Sequence, residues 1–209
     1  MKLIYATTNP GKFQEVQNFL ASYDIKIHTP SEFGVKINVE ETGSTLEENA
    51  ILKAKAFCDA LPDNFVVIGD DTGVEIAALG GEPGIRVRRW RGEHMSDQQI
   101  IDYCIQRMKN VPVDSRQAQF RTVLAVAKHG QLTQTFDGIL SGHIVTKPTP
   151  LLIKGFPFES LLYIDEYKMM LGDIHQLSTQ EKATKHIFTH RERAFTQSLS
   201  YLKKLYQNN

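Results

Sequence analysis

Apolar residues recur with two different periods along the chain, and the changes of period mark the elements. Lys2–Thr7 is a short apolar run that reads as a first strand. Asn9-Pro10 then opens a helix, with Asn9 as its cap and Pro10 at its first position. Phe13, Val16, Phe19 and Leu20 give that helix one apolar face. Ile25–Thr29 reads as a second strand, and Val35, Ile37 and Val39 alternate with polar residues as a half-buried strand does. Thr45 followed by Glu48 is a capping box that opens a helix to about Leu61, lined inside by Leu46, Ala50, Ala54, Phe57 and Leu61.

The second half follows the same logic. Phe65–Ile68 is a fully apolar strand that is expected to end in the polar stretch Gly69-Asp70-Asp71-Thr72-Gly73, with another strand over Val74–Leu79. Ser96 with Gln99 caps a helix to about Met108. Gln119–Lys128 and Gln131–Val145 are strand-rich and meet at His129-Gly130, which predicts a long hairpin. A proline-broken stretch, Lys147–Pro157, precedes two C-terminal helices. Ser178 with Glu181 caps the first, and Ala194, Ser198, Leu202 and Leu205 mark the buried face of the second. Strands alternating with helices around a central hairpin predict an α/β fold with a mixed sheet. No repeat, low-complexity tract or flexible linker interrupts the chain, so residues 1–209 read as one domain.

Composition narrows the function classes. The 24 Lys and Arg residues balance 24 Asp and Glu, so nothing global attracts a nucleic-acid polymer or an anionic membrane. No apolar run reaches the ~18 residues of a membrane span, and the N-terminus reads as a strand rather than a signal peptide. Cys58 and Cys104 lie far apart with no CxxC spacing, which fits two buried thiols in a cytoplasmic protein better than a disulfide.

Five places are candidates for chemistry. Thr7-Thr8-Asn9-Pro10-Gly11-Lys12 runs from a strand into a helix start, where free N–H groups and the helix dipole favour an anion. Two hydroxyls, a small glycine and a lysine complete a phosphate cradle without the Walker A pattern; a well-capped helix with a solvated lysine is the alternative. Glu40-Glu41-Thr42-Gly43 sets two acids at a strand end, or forms a solvated turn. Asp70-Asp71-Thr72-Gly73 sets two more where open α/β sheets place ligands, and such hard oxygen donors suit Mg²⁺ held jointly with substrate phosphates. Arg86, Arg88, Arg89 and Arg91, interrupted by Trp90, form a phosphate clamp or a charge-protected strand edge. Lys182, Lys185, His190 and Arg191 cluster near the junction of the last two helices, where a solvated helix end is the plain alternative.

Read together, the segments ATTNPGKFQEV, EETGSTLEENAILKAKA, GDDTGVEIAALGGEPGI, RQAQFRTVLAVA, FDGILSGHIV and THRERA resemble the inosine triphosphate pyrophosphatase family, the XTP/dITP diphosphatases. The resemblance implies an elongated α/β fold of two lobes around a central active-site cleft, and generally a homodimer. It implies Mg²⁺-dependent hydrolysis of ITP, dITP and XTP to the monophosphate and pyrophosphate. Matched residue by residue, Thr7, Thr8, Asn9, Pro10, Gly11 and Lys12 fall on the phosphate-binding loop, and Glu40 and Asp71 on the metal carboxylates. Asp71 is also the implied general base, with Lys12 and Glu41 beside it in the catalytic group. Thr72 and Arg89 fall on substrate-contacting positions, and His190 and Arg191 on the pair that touches the purine.

Three segments depart from the family pattern. The glycine-rich GFGYDP reads Gly155-Phe156-Pro157-Phe158-Glu159-Ser160, which keeps Phe156 as a stacking aromatic and puts Glu159 where the family has Asp. Lys185 keeps the family's spacing to the His-Arg pair, whereas Lys182 keeps its Glu-Lys context. S-A-R-Y reads Val87-Arg88-Arg89-Trp90. The resemblance is therefore fullest around the phosphates. Two readings stay beside the purine pyrophosphatase: the same chemistry on a pyrimidine or modified nucleotide, and a nucleotide-binding protein without turnover.

Overall fold

The structure is a computed structural model that describes residues 2–131 and 133–207. Leu132, which falls inside the strand expected from Gln131, lies outside the described residues. In chain order the elements are β1 (Lys2–Ala6), α1 (Pro10–Ala21), β2 (Ile27–His28), α2 (Leu46–Asp59), β3 (Phe65–Ile76) and β4 (Pro83–Gly84). They continue with α3 (Asp97–Arg107), β5 (Gln117–Lys128), β6 (Gln134–Ile144), β7 (Leu162–Ile164) and β8 (Met169–Met170). Three helices close the chain: α4 (Leu171–Gln176), α5 (Thr179–Lys185) and α6 (His190–Gln207).

Among the described residues the strands form one eight-stranded mixed sheet in the order β2-β1-β3-β5-β6-β7-β8, with β4 paired to β3. β1 runs parallel to β2 and β3, whereas the β3–β4, β6–β7 and β7–β8 pairs are antiparallel. The α/β expectation therefore holds. No helix among the described residues is long and apolar enough to cross a membrane.

The chain divides into two compact units, and β3, β5 and β6 each contribute residues to both. The first comprises residues 1–72, 122–138 and 190–209. Its interior is built from Leu3, Ile4 and Tyr5 of β1, Val66–Ile68 of β3, and the apolar faces of α1, α2 and α6. The Tyr5 and Phe195 rings meet edge to face at 5.8 Å. The second unit, residues 73–121 and 139–189, packs Val74, Ile76, Ile100, Leu140, Phe158 and Ile174 into one cluster.

The expected capping boxes at Thr45/Glu48, Ser96/Gln99 and Ser178/Glu181 all form. Three expectations are corrected. Val35–Val39 forms no strand, because Ile37 is exposed and Val35 and Val39 are only half-buried, so the alternation has no buried face to define it. The expected break at Gly69–Gly73 is absent: β3 runs unbroken through both aspartates, and only Ala77–Leu79 turns, as a short 3-10 helix. The arginine-rich segment is no strand edge either; Val87–Arg89 is another 3-10 turn.

Candidate active site

The unbroken course of β3 decides the geometry of the first unit, because successive strand residues point to opposite faces. Asp70 and Asp71, adjacent in the chain, are thereby parted. Asp70 and Thr72 share one face, and Asp71 faces the other.

Asp70 enters a buried ionic cluster. Its Oδ2 accepts from Lys12 Nζ at 2.9 Å and from Arg191 Nε at 3.4 Å. Arg191 also pairs through Nη1 with Glu15 of α1 and donates through Nη2 to Thr72 Oγ1 at 3.2 Å. Thr72 Oγ1 lies 2.8 Å from Thr122 Oγ1, which lies 2.7 Å from His190 Nδ1. Two acids and two bases thus compensate one another out of water, the condition for burying charge. Burial pushes the Asp70 carboxyl up, but the charges of Lys12 and Arg191 prevail and hold it well below the usual carboxylate range. Burial also drives the nearby Tyr5 hydroxyl upward, with the Asp70 charge adding to the shift.

This cluster changes the reading of three expected contacts. Lys12 is not a solvated lysine: its side chain is 19% exposed and points to Asp70. The Gly11 and Lys12 N–H groups of the expected phosphate cradle donate to Asn9 Oδ1 at 2.9 and 3.3 Å, as a helix cap. Pro10 stands at the helix start, Thr7 Oγ1 accepts from Asn9 N at 3.2 Å, and Thr8 is exposed. His190 and Arg191 are both buried, so neither presents an open side chain.

Asp71 meets a different set. Lys53 Nζ reaches its Oδ1 at 3.4 Å and Glu41 Oε1 at 2.9 Å. Asn49, one turn earlier on α2, donates to its Oδ2 at 3.2 Å. Burial raises the Asp71 carboxyl; Lys53 opposes that rise and the Glu41 charge adds to it. Burial lowers Lys53, but the charges of Asp70, Asp71 and Glu41 outweigh it and raise the ammonium overall. Glu40 and Glu41 are both exposed, and it is Glu41 that reaches this face, through its ion pair with Lys53. Its donor set is two carboxylates flanking one lysine.

In the second unit, Arg88 pairs with Asp97 at 2.5 Å, and Asp97 also accepts the Gly155 N–H at 2.8 Å. Arg89 is exposed. Phe156 is half-buried, with its ring 5.9 Å from that of His175. Glu159 is buried and pairs with His175 Nδ1 at 2.6 Å. Lys182 and Lys185 both lie in the last turn of α5, the first half-buried and the second exposed.

A model of the Ham1 family matches residues 3–201. The chain belongs to the Ham1 family. It is 33% identical over 204 residues to the dITP/XTP pyrophosphatase of Thermoanaerobacter pseudethanolicus, with 98% of each chain covered. It is 37% identical over 171 residues to the protein of the same name from Bacillus subtilis, covering 82% of this chain and 84% of that one. The structure of the Staphylococcus aureus Ham1 protein superposes with a TM-score of 0.78 at 33% identity, covering 98% of this chain and 99% of that one. The resemblance read from the motifs is thereby borne out at the level of family and fold.

Within this Ham1-family chain, sequence reasoning passed over Glu15, Asn49, Lys53 and His175. Asn49 and Lys53 did carry a signal. They are polar residues four apart in ENAILKAKA, on a helix whose buried face includes Ala50 and Ala54. Glu15 and His175 carried none, since their partners are distant in sequence.

Proposed function

We propose that this Ham1-family protein is a nucleoside triphosphate pyrophosphohydrolase that uses Mg²⁺ and acts on inosine and xanthosine nucleotides. The observation that carries the reading is the face of β3 bearing Asp71, where Glu41 and Lys53 supply both signs of charge within one small group. The name shared by the Thermoanaerobacter pseudethanolicus and Bacillus subtilis relatives, dITP/XTP pyrophosphatase, supports the substrate class.

The donor set fits Mg²⁺. Among the described residues no three His, Cys, Asp or Glu side chains gather into a protein cage. Mg²⁺ needs none, since it is commonly held by one or two carboxylates with water and substrate phosphates completing its shell. Asp71 and Glu41 would hold it, with Glu40 adjacent in the chain. When bound, the ion neutralises charge on the phosphoryl oxygens.

The chain's own groups do the rest. Asp71 orients a water molecule and takes its proton as the water oxygen bonds to the α-phosphorus. The bond to the bridging oxygen breaks, and pyrophosphate leaves. Lys53 and Lys12 offset phosphate charge. Arg191 and His190, through Thr72 and Thr122, brace the strand that carries Asp71. Cytoplasmic location and a homodimeric state belong to this proposal by family resemblance alone.

The altered 155–160 segment favours one variation, in which the same chemistry runs with a weaker preference among bases. A panel of ITP, dITP, XTP, ATP, GTP, CTP and UTP, with Mg²⁺ and with chelator, tests all of this. Pyrophosphate should appear as the direct product, fastest from ITP and XTP and only with metal. Asp71→Asn should cost at least ~10²–10⁴-fold in turnover. Orthophosphate as the first product, or equal rates on ATP and ITP, would overturn the cleavage site or the base preference respectively. In the same assay, loss of the ITP preference in Lys182→Ala or in Lys185→Ala identifies which lysine reads the base.

A further inference from the structure

Asn49 is buried to 3% exposure in the first half of α2. A primary amide so far from water must satisfy both its ends, and here each end goes to a different segment. Nδ2 donates to Asp71 Oδ2 at 3.2 Å, and Oδ1 accepts the Gly43 N–H at 2.8 Å. The amide's orientation follows from chemistry. The Gly43 N–H can only donate, so oxygen must face it, which leaves the NH₂ for a carboxylate that accepts when ionised.

Two glycines hold this bridge from either side. A Cβ at Gly43 would lie 2.6 Å from Asn49 Oδ1 and 2.7 Å from Glu48 Cβ, so the loop bearing Glu40 and Glu41 rests directly on α2. A Cβ at Gly69 would lie 2.5 Å from the Ala50 carbonyl oxygen and 2.7 Å from Ala54 N, so the α2 backbone rests directly on β3, two residues before Asp71. The helix is thus fixed against the strand on one side and the loop on the other, with Asn49 between them.

We propose that Asn49 is a positioning residue that sets the spacing between the Glu41 loop and Asp71. Lys53 joins the same two carboxylates, but as a cation that an anionic substrate competes for. Asn49 is neutral and buried, so its bridge persists when Lys53 turns to phosphate. The kinetic half of this inference rests on the proposed hydrolase reading; the structural half does not.

Two variants divide the bridge. Asn49→Asp keeps an acceptor for Gly43 N–H and loses the donor to Asp71. Asn49→Leu loses both. Removing a group that orients ligating residues typically costs about 10–100-fold in activity. Asn49→Asp is expected to lose that much in kcat with KM within a few-fold of wild type, and to retain slow hydrogen exchange at the Gly43 amide. Asn49→Leu is expected to lose kcat, raise KM, and speed Gly43 exchange at least tenfold while the amides of β1 and β3 stay protected. Wild-type kcat and KM in folded Asn49→Asp would overturn the proposal, as would unchanged Gly43 exchange in Asn49→Leu. If Asn49→Leu fails to fold, Asn49→Asp alone decides through its kcat against its KM. If the wild-type protein releases pyrophosphate from no nucleotide, the functional reading fails, and Gly43 exchange still tests the bridge.

Discussion

Asp70 has only 2% of its side chain exposed and is held between Lys12 and Arg191, which makes it the most consequential buried charge in the first unit. Replacing it with asparagine removes the carboxylate that Lys12 pairs with and leaves Arg191 to Glu15. Breaking a buried pair in this way costs roughly 3 kcal/mol, a fall in Tm on the order of 10 °C for a chain of this size. The pH dependence follows from the depressed carboxyl. Its folded-state pKa lies below the unfolded value of about 3.9, so the unfolded chain binds the proton more readily. The stabilisation is therefore complete above that value and is lost as pH falls through the folded one. Thermal melts of wild type and Asp70→Asn should differ by a steady amount near neutrality, with the gap narrowing progressively only as pH falls below about 4; a gap that stays constant on acidification would show that Asp70 is not the source. The partner assignments at this scale were not legible in the sequence. Asp70 meets Lys12 across 58 positions and Arg191 across 121, distances at which no local pattern carries information.

Elements were legible where their signals are local. Each capping box placed a helix start correctly, because a hydroxyl and a carboxylate or carboxamide oxygen three residues apart satisfy orphan N–H groups that the helix itself creates. The failure at Gly69–Gly73 has the opposite cause. Paired aspartates and flanking glycines are normally turn formers, but here neighbouring elements supply cations on both faces of the strand and an amide on one, so tertiary partners override local preference. The departures from the family pattern also become intelligible as contacts between elements. Trp90 of the altered 87–90 segment stacks 6.0 Å from Phe158 of the altered 155–160 segment, and Arg88 reaches Gly155 through Asp97. The two changes are therefore neighbours within the second unit and pack as a pair. At the same scale, Gly69→Ala should force α2 away from β3, since the new methyl meets backbone rather than a movable side chain. Such overpacking costs about 1–3 kcal/mol. Because α2 also carries Asn49 and Lys53, pyrophosphate release should fall along with the denaturation midpoint. A variant with full activity and an unchanged midpoint would mean that the helix has room to accommodate it.

For the whole molecule, zero net charge conceals buried clusters in which acids and bases are paired, which composition alone could not reveal. Family and fold class were legible because the motifs span nearly the whole chain, whereas the short α4 and the shared course of β3, β5 and β6 through two units were not. That shared course has a measurable outcome. With three strands covalently common to both units and no linker between them, unfolding is expected to be a single cooperative transition. Trp90 is the chain's only tryptophan and reports on the second unit, where it contacts Tyr103 and Glu82. Its fluorescence should change at the same urea concentration as Tm-independent probes of the first unit, such as exchange of β1 amides; separate midpoints would show that the units unfold in turn.

The pleat of β3 has a last implication, for how this stretch can vary over generations. Two neighbouring aspartates that look interchangeable on paper are distinguished only by parity, one facing the Lys12 side and the other the Lys53 side. A substitution alters one residue and leaves that parity intact. An inserted or deleted residue between Phe65 and Asp70 reverses it, handing the ionic cluster's partner to the Lys53 face and the reverse. Length is therefore an inherited constraint on this segment in its own right, beside the close packing of Val66–Gly69, and descendants of this chain keep the count.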